Sequence, residues 1–377
     1  MKKIAIIGAQ HIAIVFAKRM KEIGIESHCF SWNKDEYIKK YVDYFYPISI
    51  FEKEKILEKC KEIGIDGVVA TTELTIAISS YISQELKLNG NPLFVSKEIT
   101  NKLKNRNKIK EIKELKQPKF SLVDTYEEIL KLNIKFPIIL KPTSEGGKRG
   151  VIVVQSKEEL KNAYLYVKTA CKNKDSQVLV EEYLEFGKEY SVESLSFNGK
   201  NYIVQITEKD TSGPPHCVEL GHHQPANISE SLKEKIILGI DKALNKLGII
   251  NGPCHTEIKV IDNDIYVIEF NARLGGDKIS YPLTELSTGY PYITAVLKIA
   301  LNEFQGIELE KLEKNYAGIY FITEQTKRLK KIFENCENYE WYYKKHKVSE
   351  KLNRLTQNDE NSLNYFIYFS KKEKPIF

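Results

Sequence analysis

Residues 3–7 (Lys-Ile-Ala-Ile-Ile) form a short apolar run closed by Gly8, residues 12–22 carry apolar side chains at helical spacing, and residues 26–30 return to a β-rich run. A strand-length run, a punctuating glycine and a 3.6-residue period predict a β-α-β opening. Residues 52–63 repeat the helical spacing and lead into the apolar run 67–70, which ends in Thr71, Thr72 and Glu73. Strand ends line the ligand crevice of a doubly wound sheet, so these polar residues are expected at a site. The first domain, α/β and doubly wound, is expected over residues 1–97.

The lysine-rich stretch 96–116 predicts a helix, and from Phe136 onward the period changes to two. Asn198-Gly199 lies between the alternating runs 190–197 and 201–207, a hairpin signal. Residues 255–261 and 265–271 alternate in the same way around Asp262-Asn263-Asp264, and both segments read as strands. After Leu301 a polar, tyrosine-rich end holds two apolar runs, 316–322 and 365–369, and predicts a small closing C-terminal α+β domain over residues 304–377.

A chain of 377 residues can bury more than one core, so two or three packed units are expected. The net charge of +6 comes from 57 basic against 51 acidic residues, with lysines mostly beside glutamates, which predicts a solvated surface and no nucleic-acid partner. The six cysteines contain no CxxC pair and are expected as reduced thiols of a cytoplasmic protein. Gln10 and His11 interrupt the apolar start, which reads as a strand entering a helix and not as a signal peptide. No later run approaches the roughly 20 apolar residues that span a bilayer, so no membrane partner is expected.

Chemistry concentrates first in the 255–271 hairpin. With its turn centred on Asn263, Glu257 and Glu269 stand directly opposite each other on one face, their Cβ atoms about 4.5–5.5 Å apart. Facing carboxylates repel unless they share a proton or hold a hard cation, and oxygen ligands suit Mg²⁺. Asn271 and Arg273 continue that face at the two-residue period, where Arg273 can hold a further anionic oxygen. Asp277, after Gly275-Gly276, reads equally as a substrate contact or as a loop cap.

A second segment, Phe136-Pro-Ile-Ile-Leu-Lys141-Pro, runs into Thr143-Ser144-Glu-Gly146-Gly147-Lys148-Arg149-Gly150 and then the apolar run 151–154. Strand, glycine-rich loop, strand is not the strand-to-helix order of a Walker loop; it predicts a hairpin flap whose N–H groups can close over phosphates. Lys141, preceded by three apolar residues, suits a phosphate oxygen. A third segment, residues 178–184, is a strand whose backbone at Glu182 to Leu184 is expected as an edge able to pair with a purine ring, followed by Gly187 and Glu189.

In this order the segments resemble the ATP-grasp superfamily, specifically its carboxylate-amine ligase branch, which includes the L-amino acid ligases, over roughly residues 1–303. The resemblance implies a pre-ATP-grasp domain over 1–97, a two-part ATP-grasp domain over 98–303 with a nucleotide-clamping lid at about 118–184, and the small C-terminal domain. It implies ATP with two Mg²⁺ ions, or Mn²⁺ in their place. Lys102 and Lys141 match the phosphate-binding lysines, and the flap Ser144, Gly146, Gly147 and Gly150 the phosphate cover. Glu181 matches the adenine amino-group acceptor, Glu182 and Leu184 the backbone contacts to the ring, and Glu189 the ribose ligand. Glu257, Glu269 and Asn271 match the metal ligands and Arg273 the residue steadying the transferred phosphate. Asn101 departs from the pattern, standing where an aspartate often precedes the first lysine.

The stretch Glu219-Leu-Gly-His222-His223-Gln-Pro225-Ala226 resembles the substrate loop of the amino acid ligases, which makes Glu219, His222, His223, Gly275, Gly276 and Asp277 substrate candidates. A zinc site at His216, Cys217, His222 and His223 lacks the usual ligand spacing. The expected reaction joins a small-molecule carboxylate to an amine through an acyl phosphate, with Arg273 and Lys141 as the catalytic pair and release of ADP and phosphate; relatives allow a homodimer. A bicarbonate-using carboxylase similar to biotin carboxylase is the rival enzyme, and a non-catalytic nucleotide-binding or interaction protein the rival class. A nicotinamide enzyme is disfavoured, because Gly8-Ala-Gln-His-Ile-Ala13 keeps only the first glycine of the dinucleotide fingerprint.

Overall fold

The computed structural model describes residues 1–143, 150–171, 177–214, 216–355 and 363–377. The chain begins with strand β1 (Lys3–Ile7), helix α1 (His11–Glu22), β2 (Glu26–Phe30), β3 (Tyr44–Tyr46), α2 (Lys53–Ile63), β4 (Gly67–Ala70) and α3 (Glu73–Glu85). The four strands form a parallel sheet in the order β3-β2-β1-β4. The apolar runs of its two neighbouring strands β1 and β4 are explained by burial on both faces. Ile4 and Ile6 pack with Phe16 and Met20 of α1, whereas Ala5 and Ile7 pack with Ile56, Leu57 and Cys60 of α2 and Ile82 of α3.

Helices α4 (Leu93–Ile99) and α5 (Lys102–Ile109) lead out of this unit. Asn101 caps α5, its side chain accepting the Lys104 N–H at 3.0 Å. Asparagine serves that position as well as aspartate does. Past the short β5 (Leu115–Lys116), β6 (Phe120–Val123), α6 (Tyr126–Lys131), β7 (Ile138–Pro142), β8 (Ile152–Val154), α7 (Leu160–Ala170) and β9 (Val178–Glu182) form an antiparallel sheet in the order β6-β9-β7-β8. Ile138, Leu140, Val178 and Val180 pack into a core with Ile129 of α6 and Leu160, Ala163 and Val167 of α7. The alternate residues, Ile139, Lys141 and Glu181, line a cleft.

The largest sheet is built from β10 (Lys188–Phe197), β11 (Lys200–Thr211), β12 (Glu219–Gln224), β13 (Gly252–Ile261) and β14 (Asp264–Asn271), with helix α8 (Glu230–Leu247) between β12 and β13. The hairpin at Asn198-Gly199 forms as the sequence predicts, both residues at positive φ. Tyr190, Val192, Ile206, Ile258, Val260, Ile265 and Val267 pack against Ile236, Ile240 and Leu244 of α8. Helices α9 (Thr284–Thr288) and α10 (Tyr292–Ala300) follow, then β15 (Tyr316–Ile322), β16 (Tyr342–His346) and β17 (Asn364–Ser370). These last strands extend the same sheet, whose order is β16-β17-β15-β12-β11-β10-β13-β14-β5.

Two local expectations are corrected. The β13-β14 turn has two central residues, Asp262 and Asn263, both at positive φ, with Ile261 paired to Asp264. Strand β9 is interior, flanked by β6 and β7, and the Glu182 N–H is already bonded to Lys119 O at 2.9 Å. The Tyr183 N–H is bonded to Pro137 O at 3.4 Å, so the edge expected from Glu182 is taken up by the sheet as far as Tyr183 and an open N–H is left only from Leu184. Among the described residues no helix is long and apolar enough to cross a membrane.

Candidate functional site: a cleft between two sheets

The face of the large sheet turned away from α8 carries polar residues at every second position. In register across four strands stand Lys209 of β11; Glu189, Ser191 and Glu193 of β10; His255, Glu257 and Lys259 of β13; and Glu269 and Asn271 of β14. Glu257 does pair with Glu269, by a route the sequence does not reveal. The two-residue turn alone would set Ile268 opposite Glu257; a bulge between the Ile258–Val267 and Glu257–Glu269 pairs brings Glu269 round instead.

Each of these carboxylates has an ammonium beside it. Lys102 Nζ lies 2.7 Å from Glu269 Oε1, and Lys209 Nζ lies 3.0 Å from Glu257 Oε1. Burial works against the charge of Glu257, but Lys209 outweighs it and holds its pKa well below the usual carboxylate range. Burial likewise opposes the Lys102 ammonium, yet Glu269 and Glu73 keep its pKa raised.

The antiparallel sheet faces this floor. Lys141 Nζ lies 2.5 Å from Glu181 Oε2, and Arg106 Nε lies 2.5 Å from Glu181 Oε1, all three side chains being buried. Burial opposes the charge of Glu181, but the two cations keep its pKa lowered. Arg106 also donates from Nη1 to Val267 O at 3.1 Å, so one guanidinium ties the bulged strand to the facing sheet. Lys102, Lys141, Glu181, Glu182, Leu184, Glu189, Glu257 and Glu269 all line the one cleft, together with apolar Ile139, Val151, Val153 and Ile268. Glu189 lies 3.9 Å from Lys259 Nζ.

A buried chain of polar groups continues beneath the floor. Lys209 joins Glu257 to Glu219, at 2.7 Å, and Glu219 Oε2 is 3.1 Å from His222 Nε2. Ligand atoms of Glu219, His222 and Asp277 lie within 4.8 Å of one another. On the other side His255 Nε2 lies 3.4 Å from Glu257, and its Nδ1 contacts Glu193. Burial opposes the imidazolium, but Glu193 dominates and lifts the His255 pKa to about 9. Ser280 Oγ donates to Glu193 at 2.6 Å and accepts the Gly275 N–H at 2.7 Å. A Cβ on Gly275 would sit 2.6 Å from His255 Nδ1, which is why this close approach needs glycine.

Arg273 follows β14, donates to Leu274 O, and lines a second cavity of about 430 Å³ with Gly275 and Gly276. The opposite wall is the C-terminal end of the parallel sheet: Gly8, Thr71, Thr72 and Glu73, as strand-end placement predicted. His223 is separated from His222, since neighbouring strand residues face opposite ways; it meets Tyr368 Oη and Asp210 Oδ2, each at 3.0 Å. His216 and Cys217 line the first cleft, so the four zinc candidates are not gathered. Ser144, Gly146 and Gly147 fall outside the described residues; Gly150 is described, at a φ of 69°. Sequence reasoning missed Arg106, Lys209, Glu193 and His255; alternation placed His255 on the active face, but no spacing pointed to the other three.

Residues 134–281 match the family model of the ATP-grasp domain. The C-terminal section of the carbamoyl phosphate synthase large chain from Aquifex aeolicus (strain VF5) is 28% identical over 312 residues, covering 77% of this chain; the chain spans 54% of that relative's length. The L-amino acid ligase from Bacillus licheniformis superposes with a TM-score of 0.82 at 22% identity, over 99% of this chain and 94% of that one. The biotin carboxylase domain of Hydrogenobacter thermophilus 2-oxoglutarate carboxylase, a dimer in complex with MgADP, ADP and bicarbonate, does so with a TM-score of 0.76 at 19% identity, over 98% and 86%. The matched domain, the facing sheets and the lysine–carboxylate cleft between them lead to one assignment: residues 134–281 of this chain form an ATP-grasp domain.

Proposed function

We propose that the chain is an ATP-dependent carboxylate-amine ligase acting on amino-acid-like small molecules. The observation that carries this is the adjacency of two compartments: a lysine- and carboxylate-lined cleft, and a cavity of small-molecule volume whose wall residue Glu73 acts on Lys102 of the cleft. The likeness to an L-amino acid ligase over nearly the whole chain supports the same reading.

In this reading a substrate carboxylate oxygen attacks the γ-phosphorus of ATP, the bond to the β,γ-bridging oxygen breaks, and ADP leaves with its electron pair. The amine nitrogen then attacks the acyl carbon, the bond to the phosphate oxygen breaks, and the nitrogen releases a proton to water as the amide forms. Glu257 and Glu269, side by side with Glu257 firmly ionised, and the amide of Asn271 are hard oxygen donors that fit two Mg²⁺ ions. Bound there, magnesium supplies neutralisation of phosphate charge. Lys102 and Lys141 exchange their carboxylate partners for phosphate oxygens, and Arg273 steadies the transferred group. Glu181 and the backbone N–H of Leu184 hold the adenine, Glu189 the ribose, and Gly150 ends the phosphate cover.

Glu219, His222 and Asp277 receive the substrate ammonium, with Gly275 and Gly276 leaving it room. Burial lowers the His222 pKa, so it offers a neutral imidazole as acceptor. The testing experiment is phosphate release from MgATP against amino acids, singly and in pairs, and against bicarbonate alone. A stimulating pair is expected, with Glu269→Gln lowering the rate at least about a hundredfold, the scale of losing a charge-stabilising group. Turnover with bicarbonate alone and with no amino acid would instead identify a carboxylase, and no stimulation by any pair would end the ligase reading.

A further inference from the structure

Glu73 and Arg273 line the second cavity, and on the side of His11 its rim is approached by cationic groups. His11 lines its wall, and Lys18 stands seven residues on along α1, on the same helical face. Lys278 lies two residues beyond Gly276, another wall residue, and its Nζ is 5.8 Å from the centre of the Tyr365 ring. The His346 ring is stacked on that same tyrosine, centroids 5.0 Å apart. Lys344 precedes His346 by two residues on β16 and therefore shares its face. Helix α1, the loop after β14 and the edge strand β16 thus bring three lysines and two histidines to one rim.

We propose that this rim is an anion subsite, formed by His11, Lys18, Lys278, Lys344 and His346, which takes a second anionic group, carboxylate or phosphate, carried by the substrate remote from the carboxylate that is activated. Cations gathered beside a cavity repel one another, and a dianion relieves that repulsion while gaining charge-assisted hydrogen bonds. Burial, and after it Lys278, Lys344, Lys18 and His346, push the His11 pKa down to about 4, and burial followed by Lys278 and Lys18 lowers that of Lys344. The first turn of α1, beside His11, contains no acidic residue to offset them. Only the naming of the anion as part of a substrate rests on the ligase reading.

Direct binding tests the subsite without requiring turnover. The full chain, free of nucleotide, is titrated calorimetrically with succinate and, separately, with inorganic phosphate, and compared with the double variant Lys18→Gln/Lys344→Gln and the single variant His11→Asn. Lys18 and Lys344 are exposed, so the double variant is expected to melt as the wild type does. At least one dianion should bind the wild type and lose about tenfold in affinity in the double variant, with a smaller loss in His11→Asn. Binding of succinate alone assigns a carboxylate, and binding of phosphate alone a phosphate. If the wild type binds neither, or the double variant binds both as the wild type does, the subsite does not exist. Failure of amino acids to stimulate phosphate release would overturn the ligase reading and leave this result standing.

Discussion

Gly275 and His11 show how single residues set the properties of the cavity that Arg273 lines. Gly275 passes so close to the buried Glu193–His255 pair that even a methyl group must displace the loop that follows Arg273. Gly275→Ala is expected to cut the rate of MgATP turnover by about a hundredfold, the usual effect of a 1 Å misplacement, while binding of ATP itself changes little; steady-state kinetics with nucleotide titration separates the two. His11 contributes to acid sensitivity. Its folded pKa of about 4 lies below the 6.5 of an unfolded chain, so the unfolded state takes up the proton first. The contribution of His11 to stability is therefore full above about pH 6.5 and is lost as pH drops toward 4. Melting curves should show His11→Asn gaining on the wild type across that window, by on the order of 1 kcal/mol once solvent screening is allowed for. The wild type also carries the facing cations Lys18, Lys278, Lys344 and His346, whose repulsion the variant escapes.

At the scale of elements, the β13-β14 hairpin decides whether a metal site exists. Alternation alone put Glu257, Glu269 and Asn271 on one face, yet the turn is one residue shorter than the sequence suggested and the bulge at Ile268 restores the pairing. A one-residue slip flips side chains to the opposite face, so the hairpin depends on what pins the bulge. Arg106 does so, reaching from α5 to Val267 O while pairing with Glu181. Arg106→Met should destabilise the fold by roughly 3–5 kcal/mol in urea unfolding, because it leaves Glu181 buried with one cation fewer. Arg106→Lys should recover little, since an ammonium cannot serve strand and carboxylate together. Sequence reading missed Arg106 because a cation within a lysine-rich helix has no local sign of being buried.

For the whole molecule, the cleft is assembled from sheets that share no strand, so a nucleotide bound there as proposed would join both. MgATP at a hundred times its dissociation constant should add about 2.7 kcal/mol to stability, seen as a rise in melting temperature. Glu269→Gln should lose most of the magnesium-dependent part of that rise. The sequence by itself determined the parallel N-terminal sheet, the hairpins and the polar face, because periods of two and 3.6 follow from local backbone geometry and one-sided burial. Gly8, Thr71 and Glu73 at the strand ends were legible for the same reason. Only the tertiary structure decided the partners: Lys209 between Glu219 and Glu257, Arg106 between Glu181 and the bulge, Glu193 beneath His255, and the cationic rim joining α1 to β16. Those contacts join residues far apart along the chain, and their energies depend on distances and burial that no local period encodes.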